Sequence, residues 1–353
     1  MIRSQLFLLL FALFVLSCTP KNNQPTVSTY AGNGNLAAEN GKATDASFAN
    51  PAGLAVDSNN NVYVADARNN QIRKIGADGV VSTIAGSIIA GNADGKGSKA
   101  SFFYPCAIAV DDKGVLYVTD TENSLIRKIT PDGTVTTIAG ALTPINRGNQ
   151  QDNTRLDNPR GILVDKQGNV IISDWAKDVI RKITPDGKMT IIAGTGEPGA
   201  KDGLGTAASF YLPQGIALDS KGNLFIADTF NNMIRKMDPS GNVSTFAGKP
   251  APRGKKNRGS KDGKGPAASF SHPASIAIDK SDNIYVADDM NHKIRRITPD
   301  GRVSTIAGSG QRGADNGDAS KSTFFRPVGL AVDKAGNVYI ADFQNNLIRK
   351  LSF

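Results

Sequence analysis

A chain of 353 residues could hold two domains, but this one carries only two cysteines, two histidines and one tryptophan. That excludes a fold held by several disulfides, and it excludes a zinc centre built from three histidines. The formal net charge of +9 would draw anionic partners, and much of the excess is gathered between residues 249 and 264.

In chain order, Met1-Ile2-Arg3 places a positive charge ahead of an apolar run from Leu6 to Leu16. A bilayer span needs about 20 residues, so this shorter run reads as part of a signal peptide, residues 1–17. It ends in Val15-Leu16-Ser17-Cys18, which resembles the lipobox of bacterial lipoproteins. The resemblance implies cleavage before Cys18 and acylation of its thiol and amine, each buried acyl CH₂ adding about 0.8 kcal/mol of membrane affinity. Residues 18–26 then form the lipidated Cys and a polar tether. Thr19, where an Asp would favour inner-membrane retention, points to the outer membrane, and no acidic cluster follows Cys18 to mark surface display. The expectation is an exported protein on the periplasmic side of the cell envelope, touching the membrane through lipid alone. Cys106 is then without a disulfide partner and reads as a small buried residue.

From residue 27 onward one pattern recurs six times. Its first Asp falls at Asp57, Asp111, Asp165, Asp219, Asp279 and Asp333, in steps of 54 residues except one of 60. Each repeat holds four short apolar segments, as in Gly53–Asp57, Val62–Asp66, Ile72–Ile75 and Val81–Gly86. They are rich in Val, Ile, Leu and Tyr and too short for helices. Asp-Ser-Asn-Asn-Asn (57–61) and Thr-Pro-Asp-Gly (130–133) supply the tight turns between them. Each repeat therefore reads as a four-stranded antiparallel meander, and six make an all-β, six-bladed β-propeller. The last repeat stops at Phe353 without its fourth strand, and the missing strand stands at Val27–Gly32. Pairing the two would close the ring and remove an open sheet edge.

The strings Pro-x-Gly-(Ile/Leu)-Ala-Val-Asp, (Ile/Val)-Tyr-Val-Ala-Asp and Asn-x-Ile-Arg-Lys-Ile resemble NHL repeats over residues 27–353. The resemblance implies a six-bladed propeller domain over 27–353. It implies no single activity, because similar propellers serve as binding modules, sensor domains and a few enzymes.

A meander sorts its loops onto two ends. The turns between first and second and between third and fourth strands are alike in every repeat; the second-to-third loops and the blade connections vary, and loops on a rigid scaffold carry function. Candidate binding residues on that variable face are Trp175, Phe230, Phe343, Met290, Arg68 and Lys177, with Arg160, Arg326 and Gln214 beside the strand-opening prolines. Asp66 and its five repeats, with the Arg seven residues on, recur in every blade and read as structure: an Asp capping its hairpin and pairing with the Arg. His272 and His292 are weak metal candidates, since a catalytic zinc normally takes three protein ligands. The corresponding strand starts hold no carboxylate of the kind calcium-dependent propeller lactonases use. No cofactor is implied and no catalytic residue is nominated. The expected function is that of a monomeric scaffold binding a protein, peptide or glycan in the envelope, with nucleic acid disfavoured by export. The alternative is a metal-dependent hydrolase or lyase, lactonase-like, at the channel mouth.

Overall fold

The structure, a computed structural model, describes residues 24–140, 155–250 and 258–353. The signal peptide, Cys18 and the basic residues Arg253, Lys255 and Lys256 lie outside the described residues. Each apolar segment of the repeat is a strand. In the first blade they are Pro51–Val56, Val62–Asp66, Gln71–Ile75 and Val80–Gly86, all paired antiparallel. Six such sheets form, and blades one to six begin with inner strands Pro51–Val56, Pro105–Val110, Pro159–Val164, Ile216–Leu218, Pro273–Ile278 and Pro327–Val332.

The inner strands stand so close around the channel that four of the six blades carry glycine, Gly53, Gly161, Gly215 and Gly329, where they meet a neighbour. A Cβ on Gly53 would lie 2.6 Å from the Cα of Ala107, and one on Gly215 would lie 2.6 Å from that of Ser275. The core is accordingly divided. Each of six apolar clusters draws its side chains from two adjacent blades, such as Tyr63, Ile72 and Phe102 with Ile108, Val118 and Ile129. Buried on both faces, each second strand has no solvent side, and all five residues of Val62–Asp66 and of its counterparts are buried.

Ring closure follows the expectation: Thr26–Ala31 pairs antiparallel with Leu347–Ser352 as the fourth strand of blade six. One detail differs from the four-stranded reading. Five blades carry a fifth, two-residue strand on the outer edge, Gly41–Lys42 in the first; the corresponding positions of blade three, 149 and 150, lie outside the described residues. The two-residue strands sit in glycine-rich connections whose composition carries no strand signal.

The repeated carboxylates divide their work differently from the sequence reading. The first Asp of each repeat makes the Asx turn: Asp57 Oδ1 accepts from the N–H groups of Asn59 and Asn61 at 2.9 Å, and its five counterparts repeat the pattern. The second Asp does not cap its own three-residue 3₁₀ turn. It pairs instead with the buried Arg seven residues on at 2.6 to 2.9 Å, as expected. It also holds the incoming connection: Oδ1 of Asp66, Asp120, Asp174, Asp228, Asp288 and Asp342 accepts from the N–H of Ala49, Phe103, Asp157, Tyr211, Ser271 and Phe325 at 2.7 or 2.8 Å. Burial pushes Asp66, Asp174, Asp228 and Asp288 up to about 6, which leaves them ionised at neutral pH. Removing one member of such a pair would strand the other and cost about 3–5 kcal/mol.

Deleting residues 26–32 removes the closing strand together with the buried Val27 and Ala31, and uncovers the core residues Leu351 and Ile348 of the strand it pairs with. The melting temperature is expected to fall by more than about 10 °C, given a few degrees lost per kcal/mol in a domain of this size. A melt unchanged by the deletion would overturn the closure.

Candidate functional site

The residue before each strand-opening proline adopts a conformation that residues other than glycine seldom take. Asn50, Tyr104, Asn158, Leu212, His272 and Arg326 have φ from 49° to 60°. Each is held there by the preceding blade. The residue ending that blade's 3₁₀ turn, itself left-handed, accepts the N–H of the pre-proline residue through its side chain: Asn346, Asn70, Ser124, Asp178, Asn232 and His292, at 2.6 to 3.4 Å. This clasp turns the chain sharply into the inner strand and sets the rim of the channel.

Inside the rim lies a cavity of about 350 Å³ reached by all six inner strands. Its floor is a ring of one aliphatic side chain per blade: Leu54, Ile108, Ile162, Ile216, Ile276 and Leu330. Its upper wall is unlike from blade to blade: Tyr104, Cys106, Arg160, Gln214, Asp289, Arg326 and Phe343. Arg326 is neutralised by Asp289 through two parallel bonds, Nε to Oδ1 at 2.9 Å and an Nη to Oδ2 at 2.8 Å. That pairing holds the Arg326 guanidinium above its usual range. Arg160 is held differently. Its Nε donates to Asn158 Oδ1 at 2.8 Å, and its guanidinium lies 4.3 Å from the centre of the Trp175 ring. No carboxylate pairs with it among the described residues. Burial pushes the Cys106 thiol and the Tyr104 hydroxyl up, so neither ionises readily.

An aromatic strip runs outward from Arg160. Trp175 meets Phe230 edge-on at 6.3 Å, and Phe230 contacts Tyr211 at 5.3 Å and His272 at 4.8 Å. Phe230 and Tyr211 are more than a third exposed. Of the candidates, Arg160, Gln214, Arg326 and Phe343 therefore meet around the cavity, and Trp175 and Phe230 extend from it. Arg68, Met290 and Lys177 lie in 3₁₀ turns of blades one, five and three and do not line the cavity. Lys177 stands where the other blades place an Asn that donates to the buried Asp, as Asn69 does to Asp66 at 2.8 Å.

Sequence reasoning passed over Tyr104, Tyr211 and Asp289. Tyr104 stands immediately before Pro105 and Tyr211 two residues before Pro213, whereas the sequence signal lies in the residues after the prolines. Asp289 occupies a position that is Ala67 in blade one and Thr121 in blade two, and its difference was the available signal. The histidines fill repeated positions: His272 is the pre-proline residue of blade five, with Arg258 3.2 Å from its Nε2, and His292 is a clasp residue. No group of three or more His, Cys, Asp or Glu side chains gathers to hold a metal among the described residues. Of the basic segment, Asp262 pairs with Arg295 of the scaffold, and Lys264 with Asp300 at 3.3 Å. The cavity thus offers groups that recognise a ligand: one uncompensated guanidinium, an amide, a phenol and an apolar floor.

Comparison with known proteins agrees with this architecture. A family model described as NHL repeat matches residues 48–75 and 324–351. The chain is similar to NHL repeat-containing protein 2 of Bos taurus, 29% identical over 339 residues, covering 85% of this chain and 46% of that protein. It therefore spans less than half the length of that relative. Among solved structures it resembles an auxiliary nutrient binding protein from Bacteroides thetaiotaomicron, with a TM-score of 0.71 and 19% identity over 93% of this chain and 76% of the other. It also resembles virginiamycin B lyase from Staphylococcus aureus, with a TM-score of 0.59 and 16% identity over 94% of this chain and all of the other. At such identities the solved structures share the fold.

His292 makes one clasp dependent on pH. Its Nδ1 accepts the Arg326 N–H, so the ring must be neutral, and burial with the nearby Arg312 and Arg326 outweighs Asp289 in holding it below its usual range. A depressed imidazole binds its proton more weakly folded than unfolded. Its contribution is therefore complete above pH about 6.5 and declines as pH falls toward the lower folded value. His292→Asn supplies the side chain used by other blades and does not titrate. Between pH 7 and 5 the melting temperature of the parent should fall further than that of the variant; parallel profiles would show that the clasp tolerates protonation.

Proposed function

We propose, on the premise that this chain is an NHL-repeat six-bladed β-propeller, that it is a binding module whose ligand enters the cavity on the variable face. The observation that carries this reading is a division of labour among polar residues. Those repeated in every blade are consumed by the scaffold, as Asp–Arg pairs, Asx turns and clasps. Those that differ between blades converge at one end of the channel, around the cavity and the Trp175–Phe230 strip. A rigid ring carrying a concave, asymmetric and partly apolar site is suited to selective recognition. The name of the structural relative as a nutrient binding protein is in keeping with a binding role. Peptide and glycan ligands both fit an exposed aromatic strip flanked by arginine.

The binding test uses residues 26–353 on peptide and glycan arrays. Trp175→Ala and Phe230→Ala are expected to weaken a captured ligand about tenfold or more, equivalent to about 1.4 kcal/mol, with the melting temperature nearly unchanged. Affinity unaffected by both substitutions would remove this face from the reading.

The module would be held at the cell envelope, on the periplasmic side of the outer membrane, by acyl chains on Cys18. The Val15-Leu16-Ser17-Cys18 string supports this. In a bacterial host, the full chain should incorporate a palmitate analogue and fractionate with membranes, and Cys18→Ser should lose both properties. Membrane association that survives the substitution would point to a different anchor.

A further inference from the structure

We propose that the cavity receives the carboxylate of a small organic acid, bound by Arg160, with its apolar body resting on the Leu/Ile floor. This deepens the binding reading above and rests on it.

Arg160 is unlike the scaffold arginines. Arg73, Arg127, Arg181, Arg235, Arg295 and Arg349 are each buried against an Asp. Across the cavity, Arg326 is closed off by Asp289. Arg160 is the cavity-lining cation left without a carboxylate among the described residues. It is nevertheless held in place, by the Nε bond to Asn158 and by the stack on Trp175. A long side chain usually gives up rotamer freedom when it binds; here folding has already taken most of it. What remains on offer is the pair of terminal nitrogens, a planar fork that matches a carboxylate.

The surroundings narrow the ligand further. With Asp289 cancelling Arg326, the charge lining the cavity is that of Arg160 alone. That suits a monoanion better than a phosphate ester carrying two charges. Glu122 stands on the rim, its Oε1 3.4 Å from the Asn158 amide, and opposes part of the Arg160 attraction. Within the cavity the Gln214 amide and the Tyr104 hydroxyl supply further hydrogen-bonding groups. Below them the Leu/Ile ring carries no polar side chain, the neighbouring Ser275 hydroxyl already accepts the Leu330 N–H at 3.2 Å, and about 350 Å³ is the volume of a small-molecule site. A carboxylate at the top and a short aliphatic or ring body beneath satisfy both halves.

The molecule contains its own reporter. Trp175 is the single tryptophan of the chain and lies against Arg160. Benzoate and hexanoate, titrated into residues 26–353, should change its emission saturably, with calorimetry as an independent readout. The neutral isosteres benzamide and hexanamide should bind at least about tenfold more weakly, as expected for loss of a charge-assisted fork. Arg160→Gln should abolish that preference by calorimetry with the melting temperature preserved, and Arg160→Lys should restore part of it. Equal affinity for acid and amide would overturn the proposal, as would a preference that survives Arg160→Gln, or absence of saturable binding by either readout. An array ligand sensitive to Trp175→Ala, found where both acids fail, would overturn this inference and leave the binding reading standing.

Discussion

A carboxylate removed from water must find every partner inside the protein, and this propeller is organised around six that do. Each second-strand Asp is fully buried, and so, to within a few per cent, is the Arg that pairs with it. Ionised burial of this kind is costly unless all lone pairs and N–H groups are used. The Asp uses its oxygens on the Arg, on a backbone N–H of the incoming connection and, in every blade but the third, on the Asn of the 3₁₀ turn. The Arg spends its two terminal nitrogens on the same connection, as Arg235 does on the carbonyls of Ser209 and Lys201, while in five blades its Nε is buried without a hydrogen-bond partner. A Phe from that connection, such as Phe210, covers the Arg235 guanidinium at 5.4 Å. One buried pair thereby fastens a strand, a turn and a loop that are distant in sequence.

The clasp extends this order from blade to blade. Its donor is always the residue before the proline that leads into the inner strand, and its acceptor always a side chain of the preceding blade. A positive φ costs about 1–3 kcal/mol where it is not glycine, and the clasp, with the proline that follows, keeps it in place. The ring closes through the same device: Asn346 of the last blade accepts from Asn50 of the first, beside the pairing of Thr26–Ala31 with the final strand. The rim of the cavity is thus rigid in all six sectors, which is the condition for a small site to discriminate between ligands.

Blade three departs from the pattern where the candidate site is most distinctive. Leu156 replaces the Phe over the guanidinium, Lys177 replaces the Asn, and Arg181 reaches Asp174 through Nε. This blade carries both Arg160 and Trp175. At the first position of its 3₁₀ turn stands the large aromatic Trp175, where blade one has a buried Ala67. The arginine that stacks on it is in turn held without an acidic partner.

Periodicity alone determined the architecture: the repeat spacing, the four apolar segments, the turn residues and the displaced strand at Val27–Gly32 were legible because each is a local pattern. So was the sorting of repeated residues from variable ones, which located the variable face and named Arg160, Gln214, Arg326 and Phe343. Tertiary structure decided the partners. The second Asp looked like a turn cap until folding brought a backbone N–H seventeen residues upstream within 2.7 Å. His292 looked like a spare ligand until the next blade's N–H occupied its Nδ1. Arg160 and Arg326 look alike, each beside a strand-opening proline, and only their neighbours pair one with a carboxylate and leave the other without one among the described residues. Strand patterns are written in adjacent residues, whereas the charge of a cavity depends on which distant side chains the ring brings together.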